Sequence, residues 1–528
     1  MTLIICDRYR VAQAVARALK ATRKTGYGIY ANNEVTVAYI YRGFIKLTPT
    51  EEMADGRLPF IPYSYKMRVT DKRTDRRLKH LFRAAKEVVF ASAEGAEAQA
   101  RFFNICRHFR VGQPTSRMWL TSLDHGAIRQ IFEHRQKGHT LHDLAQSGLV
   151  AAGKEMLFAY NFGGILKRWY YDTEPLTIHE AIAMAYLGRL KRICKEQEVA
   201  KPKYKIRIEN KSGLPLVSVQ SWESEADCAY AASAIDIGDT VRATMTVEDT
   251  TRPALPLQCM LTLQMDAYDN LGFMPSQTIA VATRLFELGF ITTPFTDEED
   301  AWGIETIKPM PDDYPNTVDR SLYNLIAGRM KASEIVPPEQ QTANYSVEID
   351  GIPFHIQWNI DEPKAEYLGT SSQLYTVGDI SVIPVNEHSC VNFDFTTVLY
   401  NLHRTCTSKL ATIPGTPYCR YTHEWGTALE GLQRKGFISV ENGEIRLTSE
   451  GERLIIDLQP YNLGCGLLSA SFDPGRVLLG DLKGRQAIKN FEQWLTSTIA
   501  DMIPYLPKED GDAPIPVKSE DFTEQSEK

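Results

Sequence analysis

The stretch LIICDRYRVAQAVARAL, Leu3 to Leu19, decides how the beginning of this chain is read. LIIC is a short continuous apolar run, the pattern of a buried strand. VAQAVARAL repeats its apolar residues at helical spacing. A strand that runs directly into a helix opens an α/β domain. The same pair of signals returns downstream. EVVFASAEG reads as a second buried strand ending in small residues, and AEAQARFFNICRHF as a second helix. Between them KMRVTDKRTDRRLKHLFRAAK carries nine Lys and Arg residues, from Lys66 to Lys86, against only Asp71 and Asp75. The first 110 or so residues therefore predict one α/β domain with a basic helix on its side.

Further on the period changes twice. Residues 114–202 read as helical, with HDLAQSGLVAAGKEMLFAYNFGGIL and IHEAIAMAYLGRLKRICKEQE the clearest segments. From 203 a period of two takes over in YKIRIEN, PLVSVQSW and TVRATMTVED. Helical spacing returns in MLTLQMDAYDNLGF, PSQTIAVATRLFELGF and VDRSLYNLIAGRMKASEI, and strands in YSVEIDGIPFHIQWNI and DISVIPV. ISVENGEIRLTSEG reads as the small wing of a winged-helix-like unit. The tail PKEDGDAPIPVKSEDFTEQSEK is polar and acidic, the composition of a disordered segment. At 528 residues the chain has room for about three to five domains or one multi-lobed body. A net charge of −7 excludes a uniformly basic nucleic-acid coat, so a polyanion site has to be a local patch. The cysteine number, nine, is odd and no pair has C-x-x-C spacing, which fits a reducing cytosol rather than a disulfide framework or a zinc ribbon. No run of about 18 apolar residues suggests a membrane span, and the N-terminus lacks the order of a signal peptide.

Several segments, taken in order, resemble a type IA DNA topoisomerase of the bacterial topoisomerase III branch. LIICDRYRVAQAVARAL resembles the family's opening strand and helix. VVFASAEGAEAQ stands where its Toprim domain has V-V-x-A-T-D-x-D-R-E-G-E, and PTSRMWLTSL resembles the segment that leaves that domain. PLQCMLTLQMDAYDNLGFMPSQTIAVATRLFELGFIT is similar to the helices that lead to the catalytic tyrosine. LYNLIAGRMKAS, IPGTPYCRYTHEWGTALEGLQRKGFI, LTSEGERLI and FEQWLTSTI complete a collinear set over about residues 1–500. The resemblance implies a multidomain α/β + α torus. It divides into a Toprim-like α/β domain (1–113), the first part of a helical DNA-binding domain (114–202) and the first part of a β-rich arch (203–252). A winged-helix-like domain that carries the nucleophile in the family (253–370) follows. The arch returns at 371–392, the helical and winged-helix-like domain at 393–505, and the acidic tail at 506–528.

The same resemblance implies which chemistry is missing. Type IA cleavage uses a tyrosine that attacks a phosphodiester and forms a covalent link. It also uses carboxylates that hold Mg2+ and basic groups that stabilise the phosphoryl charge. The family's I-T-Y-P-R-S-D reads Ile291, Thr292, Thr293, Pro294, Phe295, Thr296, Asp297 here. Thr293 stands at the tyrosine position and Phe295 at that of the phosphate-binding arginine. A threonine side chain is several ångströms shorter than a phenol and its alkoxide is a poorer leaving group. The family's D-x-D-x-E becomes Ala93, Gly95 and Glu97. The opening glutamate becomes Asp7 and its neighbouring lysine Arg8. Asp7 and Glu97 are the carboxylates left at matching positions, and a Mg2+ cofactor is not expected. The family's H-E-A-I-R-P-T element becomes IETIKPM, with Ile304 for the histidine and Lys308 retained in kind. Two further arginine positions read Gly153 and Gly164, although Asn161 remains.

The implied reading is a pseudo-topoisomerase: a cytoplasmic scaffold of bacterial type that keeps packing positions and loses reactive ones. Its implied partner is single-stranded DNA, through Arg420 and Thr416 of the G-T-P-Y-C-R segment and through Arg117, Lys308 and Arg329. Trp119, Tyr418 and Tyr421 are candidates for base stacking. One alternative is a docking subunit for a helicase or a mobile-element or replication protein, with little DNA affinity. Another is an active topoisomerase with a relocated tyrosine, such as Tyr268 or Tyr314.

Overall fold

A computed structural model describes the chain apart from residues 51–57, 94, 171–173, 200–201, 210–214, 251–253, 296–302, 336–339, 360–373, 386–392, 407–423 and 506–528. It divides into two compact units. One contains Met1–Gly188, Pro256–Met330 and Asn392–Lys528; the other contains Arg189–Leu255 and Lys331–Val391.

The chain begins with β1 (Thr2–Cys6), α1 (Tyr9–Ala18), β2 (Arg23–Gly26), β3 (Ile29–Ala31), β4 (Val35–Tyr39), β5 (Ile45–Pro49) and β6 (Tyr65–Val69). Next come α2 (Lys72–Ala84), β7 (Glu87–Ser92), α3 (Ala96–Phe109), β8 (Thr115–Trp119), α4 (His125–Glu133) and β9 (Gln136–Lys137). Seven of these strands form one sheet in the order β2-β3-β4-β1-β7-β8-β9, while β5 and β6 pair as a separate hairpin. Strand β1 runs parallel to both β4 and β7, and β7 runs parallel to β8. Leu3, Ile4, Ile5, Val88, Val89 and Phe90 are almost wholly buried, as expected for central strands covered on both faces. The boundary expected at 113 is corrected here. Val88 pairs with Thr115 and Ala91 with Met118, so β8 is an integral strand of this sheet, joined to β7 by the crossover helix α3.

Two long helices follow, α5 (His142–Tyr170) and α6 (Ile178–Val199). The start of α6 is a capping box. Thr177 N–H donates to Glu180 Oε2 at 2.7 Å, and Glu180 N–H donates to Thr177 Oγ1 at 3.1 Å. His179 Nε2 lies 2.8 Å from Glu424 Oε2 and its ring meets Trp425 edge-on at 4.9 Å. Burial pulls the His179 pKa down, but the carboxylates of Glu424 and Glu155 outweigh that and raise it above its usual value. A raised histidine stabilises the fold fully below its unfolded pKa of about 6.5 and loses that contribution as pH rises through the folded value. The gap in unfolding temperature between the native protein and His179→Gln should therefore narrow on going from about pH 6 to about pH 9. A pH-independent gap in a thermal melt series would contradict this account of the pair.

The second unit is built on β10 (Lys203–Glu209), β11 (Pro215–Ser218), α7 (Glu225–Ala232) and β12 (Thr240–Thr250). After α8 (Met260–Leu271), α9 (Pro275–Glu287) and α10 (Thr317–Ser333), the chain adds β13 (Gln340–Ile349), β14 (Ile352–Asn359), β15 (Leu374–Thr376) and β16 (Ile380–Val385). These seven strands form an antiparallel sheet in the order β15-β12-β13-β14-β11-β10-β16. Residues 340–359 were expected within the nucleophile-bearing domain of 253–370. They belong to this sheet instead, because β12 and β13 pair over eight residues from Ala243↔Val347 to Thr250↔Gln340. Ile206, Ile208, Leu216, Ala343, Phe354 and Tyr375 supply the buried centre.

The chain closes with α11 (Phe395–Cys406), α12 (Glu424–Arg434), β17 (Ile438–Glu441), β18 (Glu444–Leu447), α13 (Ser449–Leu458), α14 (Leu463–Leu467), α15 (Pro474–Leu478) and α16 (Gly484–Met502). The expected wing is the β17–β18 hairpin. Its two connecting residues, Asn442 and Gly443, have φ of +53° and +84°, as the Asn-Gly turn that matches strand twist requires. Among the described residues no helix is long and apolar enough to cross a membrane. The acidic tail of 506–528 lies outside the described residues.

Candidate functional site

Because β1, β7 and β8 are parallel and in register, their carboxyl ends lie side by side, with Cys6 opposite Ala91 and Ala91 opposite Met118. In parallel α/β sheets that edge is where ligands are held. Asp7 leaves β1 at this edge. Ala93 and Gly95 leave β7, and Glu97 stands in the first turn of α3. Asp7 is 7% exposed. Its Oδ2 accepts from Ser92 Oγ at 3.4 Å and from Arg101 Nη2 at 3.4 Å, with Arg42 Nε at 3.9 Å. Glu97 Oε1 accepts from Arg101 Nη1 at 2.7 Å. One guanidinium thus bridges the two carboxylates. Ala93 offers only a buried methyl group, and Gly95 is the N-cap of α3. Glu94 lies outside the described residues.

These residues do not fit Mg2+. A hard cation of that kind needs about six oxygen ligands in octahedral array. Among the described residues no three His, Cys, Asp or Glu side chains converge as such a set. The space between the two acids that do approach is taken by a fixed positive charge.

The segment at the nucleophile position docks on the same edge. Gly289 ends α9 with φ of +72°, a left-handed conformation that favours glycine. The chain then crosses to β8, where Thr293 N–H donates to Thr121 O at 2.8 Å. Thr293 is 2% exposed, and its Oγ1 accepts the Phe295 N–H at 3.3 Å, a local hydroxyl turn. Phe295 is buried, and the Arg8 guanidinium lies 5.4 Å from its ring centroid. Arg8 also reaches Glu287 Oε1 at 3.4 Å. Tertiary structure thus brings Arg8 onto Phe295, which lies in a core shared by the first sheet and helices α8, α9 and α10, while Asp7 and Glu97 meet through Arg101 at the sheet edge. Thr293 and Phe295 are buried, whereas the Glu97 side chain is largely exposed.

The residues expected to touch DNA are distributed differently. Arg117 is 1% exposed, with its guanidinium 4.3 Å from both the Phe90 and Trp119 ring centroids and Nη2 donating to Ser92 O at 3.4 Å. It is a core cation in this structure, which corrects the expectation of a surface contact. Trp119 is also buried and donates through Nε1 to Gln136 Oε1 at 2.9 Å. Lys308 Nζ donates to Leu288 O at 3.1 Å and lies 4.5 Å from the Phe290 centroid, so it caps the end of α9. Arg329 Nε donates to Pro256 O at 2.9 Å, with Asp266 at 3.8 Å from Nη1. Asn161, buried, exchanges hydrogen bonds with the backbone of Phe60. Thr416, Tyr418, Arg420 and Tyr421 lie outside the described residues. The two alternative tyrosines sit in different surroundings. Tyr268 stacks on Phe395 at 4.4 Å, and Tyr314 Oη donates to Asp319 Oδ2 at 2.8 Å. Burial first, and neighbouring carboxylates second, raise both phenol pKa values.

Sequence reasoning missed Arg101 and Arg42. The first was within reach, because Glu97 and Arg101 are four residues apart on one predicted helix and must share a face. The second had no local signal, since Arg42 follows β4 and meets Asp7 only through sheet pairing.

No family model matches the chain. A DNA topoisomerase 3 from Bacillus licheniformis is 23% identical over 320 residues, which covers 56% of this chain and 43% of that protein. The match therefore spans less than half of the curated relative's length. Among solved structures, full-length topoisomerase I from Thermotoga maritima superposes with a TM-score of 0.61 at 16% identity, over 94% of this chain and 90% of that one. The chain thus has a topoisomerase I-like fold of mixed α/β class.

Proposed function

We propose that this protein is a non-cleaving topoisomerase-like scaffold that holds single-stranded DNA, in the cytoplasm, for a DNA-processing complex. The first sheet is read as a Toprim-like domain, and the edge that carries Asp7 and Thr293 as a former cleavage centre. One observation carries this reading: the position aligned with the nucleophile is Thr293, 2% exposed, with its hydroxyl engaged by the Phe295 N–H. A nucleophile has to meet phosphorus in line and needs an activating base or a lowered pKa. A buried threonine bonded into its own turn supplies neither. DNA binding needs less. Backbone-tracking cations suffice, and exposed Lys72, Arg73, Arg76, Lys79 and Arg83 of α2 are such cations on a chain that is acidic as a whole.

The test is a pair of measurements on the full chain. Negatively supercoiled plasmid incubated with protein and Mg2+ should stay supercoiled, and denaturing gels should show no protein–DNA adduct. Fluorescence anisotropy of a labelled oligothymidine should rise with protein and weaken as salt increases, with a log–log slope set by the phosphates contacted. An adduct at any tyrosine would overturn the reading. A flat anisotropy curve at low salt would replace it with protein docking as the scaffold's role.

A further inference from the structure

Arg101 is more than an ion-pair partner of two carboxylates. Its guanidinium reaches Glu97 Oε1 at 2.7 Å through Nη1 and Asp7 Oδ2 at 3.4 Å through Nη2. One planar cation thus lies between an acid at the end of β1 and an acid in the first turn of α3, at the carboxyl edge of a parallel sheet. Arg42 Nε approaches the same Asp7 oxygen at 3.9 Å. Two guanidinium groups therefore supply the two positive charges that one divalent ion would bring to the same pair of carboxylates. The Asp7 end is sheltered, with side-chain exposure of 7% for Asp7 and 18% for Arg101, while Glu97 and Arg42 reach solvent at 56% and 43%. A divalent ion entering here would meet both guanidinium charges at short range, where repulsion is strong outside bulk water. Unlike lysine, arginine does not relieve such repulsion by losing its proton.

We propose that Arg101, assisted by Arg42, is a built-in replacement for a divalent metal, so that this edge is closed to Mg2+ and Mn2+ and the protein engages nucleic acid without them. The inference deepens the proposed function, because it reads the Asp7–Glu97 pair as a former metal position. It predicts that removing one side chain uncovers a latent cation site. With Arg101 gone, the two carboxylates it bridges and the Ser92 hydroxyl beside Asp7 are left without that cation, a set of hard oxygens of the kind divalent ions take.

Mn2+ titration followed by electron paramagnetic resonance, which reports free ion, tests this on the full chain. The native protein should leave the free Mn2+ signal unchanged at equimolar ion. Arg101→Ala should bind Mn2+ at least tenfold more tightly than the native protein, Asp7→Asn in that background should abolish the gain, and Arg101→Lys should not show it. Circular dichroism confirms that each variant is folded. Arg101→Gln, which keeps more of the side-chain volume, replaces the alanine variant if that one does not fold. Oligothymidine binding by the native protein should persist in EDTA, and added Mg2+ should weaken it as a competing counterion and not strengthen it. Native Mn2+ binding that Asp7→Asn removes would overturn the proposal, as would an Arg101 variant that is folded and gains nothing. The two readings fail separately. Metal binding without strand cleavage sinks this inference alone, and strand cleavage without metal sinks the proposed function alone.

Discussion

Replacing Lys435 with alanine should lower folding stability by about 3–5 kcal/mol, the cost of stranding a buried charge. Lys435 and Glu180 form an ion pair whose side chains are 5% and 4% exposed. Lys435 Nζ also donates to Pro175 O at 2.8 Å, and the Glu180 carboxylate closes the capping box of α6. The geometry leaves no room for substitutes. A Cβ on Gly431 of α12 would lie 2.0 Å from Glu180 Oε1, so the two helices meet at this point without a side chain between them. Removing the ammonium leaves a desolvated carboxylate that keeps the Thr177 N–H as a donor among the described residues. Removing both charges is a different matter. Glu180→Gln with Lys435→Met should recover much of the loss, because a hydrophobic pair of similar volume carries no desolvation penalty. Urea denaturation of the two single variants and the double variant measures the coupling. A loss below about 1 kcal/mol for Lys435→Ala would mean that water reaches the pair and that the burial argument is wrong.

The opposite sign is expected at Lys154. This residue of α5 is 7% exposed, and its Nζ lies 4.8 Å from the Phe472 ring centroid and 5.6 Å from that of Phe491. Burial pulls its pKa from an ordinary 10.5 down to about 8, with Asp473 and Glu155 opposing the shift. Below pH 8 both folded and unfolded chains carry the proton, and the folded state bears the whole penalty, about 3 kcal/mol for a shift of this size. Between about pH 8 and 10.5 the folded state has released its proton while the unfolded chain still holds it, so stability rises with pH and the penalty is gone above that window. Lys154→Met keeps the packing volume without the charge and should stabilise the protein by about 1–3 kcal/mol at pH 7. The lower end allows for the lost attraction between the ammonium and the rings. The advantage should shrink steadily toward pH 10.5. A Met variant less stable than the native protein at pH 7 would mean that the rings and Asp473 hold the ammonium more favourably than water does.

Local signals and their reach separate what could be read in advance from what could not. Leu3 to Leu19 announced β1 and α1 because a buried run followed by helical spacing is written within a few adjacent residues. The β17–β18 hairpin was legible for the same reason, since Asn442 and Gly443 suit a turn that needs positive φ at both positions. So was the identity of Thr293, the basis of the proposed non-cleaving role, because a residue's identity needs no coordinates. The charge run at 66–86 was legible as composition, yet it resolved into a strand, β6, and a helix, α2, whose Asp75 is tied to His108 at 2.7 Å and to Lys79 at 2.7 Å.

Other features exist only once the chain is folded. Asp7 and Arg101 are 94 residues apart in sequence, and they meet because β1 and β7 chose each other as parallel neighbours. Thr293 reaches Thr121 across the end of β8, and Arg117 is buried only because the rings of Phe90 and Trp119 close on it. The second sheet gathers strands from Lys203 to Val385, with β12 paired to β13 across the three intervening helices rather than to β11. Alternating apolar residues say which face of a strand is inward, but not which edge finds which partner. The residues and their periods thus specified the elements. Strand pairing and packing, which act over distances no local pattern encodes, decided that an arginine would lie between the remaining acids.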